Sequence, residues 1–276
     1  KGKIPGYGIK DEQKLYQVAL DLGIDIENRE VNQIAIEVGE EALKQFGQQE
    51  GQLRLLNKAP EKRKEIWRKE NVWPRGIDRE VVEIMHRSTM GVDQDYKSLM
   101  EQGTRAALAD GWAGSMLGTD LQDVMFGVPV PVYSEANLGV LKKDEVNIIV
   151  HGHEPLLSEM IVVASRDPEM LELAKKVGAK GINISGMCCT ANEILMRHGI
   201  PISGNFLQQE LAITTGSVES MVVDVQCIMQ SLAQVASCYH TKLITTNPKA
   251  DITGSERIMF DEHDALNSAK EIVKAS

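Results

Sequence analysis

From Val146 onward the chain alternates short β-branched runs with helix-length runs: VNIIV, LLSEMIVVASRDPEMLELAKKVG, INIS, TANEILMRHG, PIS, LQQELAITTG, MVVDV, IMQSLAQVA, KLITT, RIMF and DALNSAKEIVKA. Strands that resume in the same direction after a helix need right-handed crossovers, and the sheet they form is covered on both faces. The pattern predicts a doubly wound α/β domain with a parallel sheet.

Upstream, to about Leu141, the punctuated segments carry a helical period instead. Asp11 is placed to cap DEQKLYQVALDLG, with Leu15, Val18 and Leu22 on one face and Gly23 as the stop; Ile34, Val38, Ala42 and Phe46 repeat that spacing. Pro60 opens a charged run, PEKRKEIWRK, that reads as a surface helix. Asp78 is read as the cap of DREVVEIMHR and Thr119 as the cap of DLQDVMF. No convincing strand stands out in this half. The expected division is a helical part over residues 1–144 and a sheet domain over 145–276.

The charge balance removes some function classes. Thirty Lys and Arg against 40 Asp and Glu leave a net charge of −10 in 276 residues, which argues against nucleic acid or an anionic membrane surface as the main partner. No apolar run approaches the ~18 residues of a spanning helix. The four cysteines, Cys188, Cys189, Cys227 and Cys238, all lie in the second half behind no signal peptide, which points to a reducing, cytoplasmic compartment rather than a secreted disulfide framework. The chain begins at Lys1 and stops inside a helical pattern, so an excised or truncated piece is expected.

No GxGxxG follows the first strand and no GxxxxGK[ST] occurs, so the glycine-rich phosphate signals are missing. What the strands deliver instead are metal-ligand side chains. In an open parallel sheet, binding groups gather beyond the carboxyl ends of the strands. After VNIIV come His151, Gly152, His153 and Glu154; after INIS come Gly186, Met187, Cys188 and Cys189; after MVVDV come Gln226 and Cys227. Three neighbouring strand ends span about 10 Å, which suits a polynuclear cluster better than one ion.

The two adjacent cysteines cannot readily bridge each other. They sit where a helix begins, and the positive end of its dipole favours thiolate, the form that binds soft metals. Any single cysteine is also a good small core residue. Position favours a ligand role for Cys189 and Cys227, leaves Cys188 between the two readings, and makes Cys238, on the apolar face of IMQSLAQVASCYH, structural. His153, past a glycine, is preferred over His151, which continues the strand and reads as a supporting or packing residue; spacing alone separates the two only weakly. His198 ahead of Gly199 reads as a helix-end cation. His86 and His263 read as surface residues.

VHGHEPLLSEM, GINISGMCCTANEILMRHGIP, GNFLQQELAITTG, VVDVQCIM, ASCYHTKLITT and, upstream, ADGWAGSMLGTDLQDVMFG together resemble the catalytic subunit of anaerobic nickel-containing carbon monoxide dehydrogenases, of the prismane/hybrid-cluster superfamily. The resemblance covers essentially the whole chain. It implies a helical domain followed by a Rossmann-like domain, with a nickel–iron–sulfur cluster at the site and additional iron–sulfur clusters only in the intact parent. It makes His153 and Cys189 ligands of the iron outside the cubane and Cys227 a ligand of the cubane. Cys188 becomes a cofactor-binding residue, while His153 and Asp110, in ALADGW, become catalytic residues.

The implied reaction is reversible oxidation of CO with water to CO2, protons and electrons. The implied partners are an electron carrier such as ferredoxin, a second copy in a homodimer and an acetyl-CoA synthase. The cysteines and lysine that the family takes from regions before and after this segment are missing here, so the isolated segment is expected to be inactive. A hybrid-cluster-type redox protein, and a metal-free structural module when isolated, are the alternatives.

Overall fold

Asp11 accepts the Lys14 amide at 2.8 Å, and the helix it opens, α1 (Glu12–Asp21), ends where Gly23 turns left-handed. The computed structural model describes residues 8–276, so the part of the expected helical domain formed by residues 1–7 lies outside the described residues. The chain separates into two compact units, Ile9–Val128 and Pro129–Ser276.

In the first unit, α1 and α2 (Val31–Gly47) bury Leu15, Val18, Leu22, Ile34, Val38 and Ala42 in one core with Leu117 and Val124. Pro60, extended, leads into α3 (Glu61–Lys69). Next comes α4 (Ile77–Thr89), whose extended leading residue is Gly76; Asp78 is not the cap but lies in the first turn, where its charge suits the helix dipole. Helix α5 (Tyr96–Ala107) runs on through a π-helical stretch, Leu108–Ser115, into α6 (Met116–Phe126). Thr119 is therefore not a cap either. A continuous helix leaves no terminus to cap, and the Thr119 hydroxyl donates back to the Ser115 carbonyl at 2.9 Å.

A second apolar cluster holds Trp67 edge-on to Trp73 and Trp112, with ring centroids 6.1 and 5.5 Å away. Beside it the fully buried Glu80 accepts from Arg75 Nε at 2.9 Å, the Arg75 amide at 2.9 Å and Gln102 Nε2 at 2.9 Å.

The second unit begins its sheet at β1 (Val146–His151). Then follow α7 (Pro155–Ser165), α8 (Pro168–Lys176), β2 (Ile182–Met187), α9 (Cys188–His198), β3 (Ile202–Gly204), α10 (Gln209–Thr214) and β4 (Ser220–Val223). The chain closes with α11 (Leu232–Ala236), β5 (Lys242–Thr245), β6 (Glu256–Arg257) and α12 (Ala265–Ala275). The strand expected over RIMF is only the two-residue β6, shifted toward its start.

All strand pairs are parallel, in the order β3-β2-β1-β4-β5-β6. This is the doubly wound order, and the direction of winding reverses between β1 and β4. The central strands are apolar on both faces, as a covered parallel sheet requires: Ile148, Ile149, Val150, Met221, Val222 and Val223 are fully buried. Helix α7 is buried over most of its surface and packs against α12 and α9. Gly186 lets α9 close on β2, since a Cβ there would come within 2.4 Å of the Ala191 Cα. No helix among the described residues is long and apolar enough to cross a membrane.

Candidate metal centre

The register fixes where the chain leaves the sheet. His151 pairs with Met187 on one side and with Val223 on the other, so β2, β1 and β4, three neighbours, end level. The next residues in each case are Cys188 and Cys189, Gly152 and His153, and Asp224 to Cys227. Those ends flank the reversal point of the sheet, where open α/β folds place their ligands.

Gly152 leaves β1 at φ +137°, and its carbonyl accepts the Thr190 amide of α9 at 3.0 Å. The next two amides, His153 and Glu154, donate to the buried Asp224 carboxylate at 2.6 and 3.0 Å, and the Val225 amide donates to it as well. Burial pushes Asp224 above the usual carboxylate range, and these amide donors oppose that rise.

His153 Nδ1 lies 3.0 Å from the Val225 carbonyl. A carbonyl only accepts, so Nδ1 carries the proton and the Nε2 lone pair faces the Cys227 thiol. Nε2 stands 4.0 Å from Cys227 Sγ. His151 is completely buried, and burial pushes its imidazole below the ordinary value.

Cys227 follows Gln226, and both have left-handed backbones, at φ +54° and +62°; Cys188 does too, at +62°. Among the described residues only Asn28 and Asn71 are further non-glycine cases, so most of this uncommon geometry is gathered at one edge of the sheet. The buried Gln209 of α10 holds the Cys227 turn from below, donating from Nε2 to the Cys227 carbonyl at 2.6 Å and accepting the Met229 amide on Oε1 at 2.9 Å.

The thiols are all free. Cys188 is half-buried against the core, while Cys189 and Cys227 are exposed. The helix start does not lower the thiols of Cys188 and Cys189: burial pushes Cys188 up to about 11 and Cys189 above its usual value, with the neighbouring Cys227 adding to both. Desolvation and the crowding of groups that would all be anionic favour the neutral thiols here, and a bound cation would oppose both.

Among the described residues no three His, Cys, Asp or Glu side chains stand close enough to close around a single ion. One bare imidazole nitrogen and three thiols spread along level strand ends fit part of a polynuclear iron–sulfur group, whose ligands are chiefly thiolates.

Of the remaining candidates, Asp110 belongs to the first unit, while Cys238 and His198 lie in the second unit away from this edge. Asp110 is exposed on the π-helical stretch of the first unit. Cys238 is exposed rather than on an apolar helix face, because α11 ends at Ala236; it lies in the turn leading to the amino end of β5. His198 is the last residue of α9, ahead of the left-handed Gly199 that caps the helix, and its Nε2 pairs with Glu159 at 2.5 Å. Sequence reasoning passed over three residues. Asp224 falls within the strand-like run MVVDV, where an acid closing the apolar MVV is the one signal of its role. Gln209 looked like one more polar helix residue. Glu193 lies one turn beyond Cys189, and burial raises it to about 7.

The whole chain, residues 1–276, matches the model of the Prismane/CO dehydrogenase family. It is 56% identical to carbon monoxide dehydrogenase 1 of Methanosarcina acetivorans, covering 100% of this chain and 44% of that protein. It is 48% identical to the carbon monoxide dehydrogenase/acetyl-CoA synthase subunit beta of Moorella thermoacetica, over 99% of this chain and 41% of that one. A nickel-free crystal structure of carbon monoxide dehydrogenase from Thermococcus sp. AM4 superposes with a TM-score of 0.96 at 52% identity, covering 99% of this chain and 44% of that one. The chain thus spans less than half the length of these relatives. With the match running from end to end and the level strand ends carrying its ligand-type residues, the chain belongs to the Prismane/CO dehydrogenase family.

Proposed function

We propose that this chain supplies one wall of the nickel–iron–sulfur site of a carbon monoxide dehydrogenase, which interconverts CO and water with CO2, protons and electrons. The observation that carries the reading is the bare Nε2 of His153 facing Cys227 Sγ at 4.0 Å, on strand ends level with Cys189. His153, Cys189 and Cys227 hold the metal group, and Cys188 binds beside them. When bound, that group supplies the two-electron redox chemistry and Lewis acidity of the reaction. The protein's own part is to present one imidazole in a fixed tautomer and to give up thiol protons as the metals bind. Asp110 is proposed as an acid that handles protons.

The whole protein would pass its electrons to a carrier such as ferredoxin and work in the cytoplasm as a homodimer. The name of the Moorella relative supports an acetyl-CoA synthase partner. The names of the relatives favour the dehydrogenase over a hybrid-cluster protein. The isolated segment should not oxidise CO, since a cubane calls for more thiolates than this edge offers.

The test is anaerobic titration of the chain with ferrous iron and sulfide. Broad visible absorption should develop, be lost in the Cys189→Ala/Cys227→Ala double variant and persist in Cys238→Ala. Equal absorption in the double variant and the unaltered chain would sink the reading.

A further inference from the structure

Two buried side chains that touch no reacting group hold the loops of this edge together. Asp224, directly after β4, reaches across to the exit of β1. Its two oxygens take three N–H donors, from His153, Glu154 and Val225. Gln209, from α10, reaches the other side of the same turn and takes up both the Cys227 carbonyl and the Met229 amide. Both are completely buried. Between them lies the Val225 carbonyl, which accepts from His153 Nδ1. The imidazole tautomer and the left-handed turn at Gln226 and Cys227 are thus each set by a contact anchored on one of these two residues.

We propose that Asp224 and Gln209 are positioning residues that align His153 Nε2 with Cys227 Sγ before any metal arrives. The alignment serves cluster binding only if the function proposed above holds, but it is a property of the metal-free chain and is measurable there. An apo site built this way meets incoming metal with its imidazole already in the right tautomer and its thiol already at the right end of the turn. Partners that fix a ligand's tautomer and orientation are commonly worth about ten- to a hundredfold in metal affinity.

Asp224→Asn replaces one acceptor oxygen with an N–H2 group facing N–H donors, so the β1 exit must shift. Gln209→Met keeps the side-chain volume and removes the contacts to the Cys227 carbonyl and the Met229 amide, together with the one to the buried His151. In the metal-free chain labelled with 15N-histidine at pH 8, His153 should be the Nδ1–H tautomer. Asp224→Asn should bring the second tautomer up by about fivefold, the effect of losing one net hydrogen bond.

Gln209→Met should leave the tautomer in place. It should raise the alkylation rate of Cys227 relative to Cys238 by about fivefold, for the same reason. If Asp224→Asn does not fold, Gln209→Met with the alkylation ratio decides alone. An unchanged His153 tautomer in a folded Asp224→Asn, or an unchanged Cys227-to-Cys238 ratio in Gln209→Met, overturns the proposal. Both changes in a chain that takes up no iron would keep the positioning role and instead remove the proposed function.

Discussion

Gly152 and Asp224 are packed so closely that a Cβ at position 152 would lie 1.8 Å from Asp224 Oδ1. The glycine also holds φ +137°, which side-chain-bearing residues rarely adopt. Gly152→Ala must therefore either move the β1 exit or expel a carboxylate from three amide donors. We expect a loss of about 2–4 kcal/mol, combining backbone strain with overpacking, read as a lower urea midpoint by circular dichroism. A midpoint within error of the unaltered chain would show that the approach is looser than this geometry.

In the helical unit, the corresponding weak point is Glu80. Its carboxylate is fully buried and faces Arg75, which it holds above its usual pKa, as well as Gln102 and Arg105. Glu80→Ala strips the Arg75 amide and Gln102 of their buried acceptor, while the partly exposed Arg75 guanidinium keeps Glu83, so the change should cost about 1.5–3 kcal/mol. All three tryptophans, Trp67, Trp73 and Trp112, lie in the same unit, so their fluorescence follows its unfolding. A loss below about 1 kcal/mol, the size expected of an exposed pair, would show that the network is solvated.

The sheet was legible in the sequence because its strands are short, β-branched runs punctuated by helix-length segments, and their burial on both faces keeps them largely apolar despite polar members such as Asn147, Asn183 and Ser185. VNIIV marks β1 to within one residue, whereas INIS stops two residues short of the end of β2, which runs on through Gly186 and Met187. Helices opened by their own caps were equally plain, as at Asp11. Where a helix continues out of another, as α6 does from the π-helical stretch, no capping signal exists, and Thr119 misled. The ligand-type residues at the edge could be located because strand ends follow from strand positions.

The residues that hold them could not be located that way. Asp224 and Gln209 act through contacts between segments far apart in the chain, and periodicity carries no information about such contacts. The thiols illustrate a second limit: the helix start at Cys188 is visible in sequence, but the burial that raises the Cys188 and Cys189 thiols is not.

Glu193 gives the chain a pH dependence. Burial raises its carboxyl from 4.5 to about 7, with Arg197 opposing and Glu159 and Asp224 adding to the rise. The native state therefore keeps a proton that the unfolded chain has already released. The stability linked to this proton is fully present below about pH 4.5 and is lost as pH rises through 7. Glu193→Gln, neutral at every pH, should flatten that decline and raise stability at pH 8 by about 2 kcal/mol. The measurement is thermal unfolding of both proteins from pH 5 to 8; parallel curves would mean that Glu193 is ionised in the native state throughout.

The left-handed backbone at Cys227 sets stability against metal binding in a single substitution. A side-chain-bearing residue at φ +54° costs about 1–2 kcal/mol over an ordinary conformation, and glycine escapes that cost. Glycine also gains freedom in the unfolded chain, which offsets about 0.5–1 kcal/mol of the relief. The Cys227 side chain is exposed, so little packing is lost with it. Cys227→Gly should accordingly be as stable as the unaltered chain or more stable by about 0.5–1 kcal/mol. It should nevertheless take up less iron in the anaerobic titration, since the thiol opposite His153 Nε2 is gone. Gln226→Gly, with the same backbone relief at φ +62° and no lost thiol, should gain similar stability and keep its iron uptake. A Cys227→Gly chain that unfolds at clearly lower urea would mean that the thiol contributes to the fold itself, and the strained turn could not then be attributed to ligand placement.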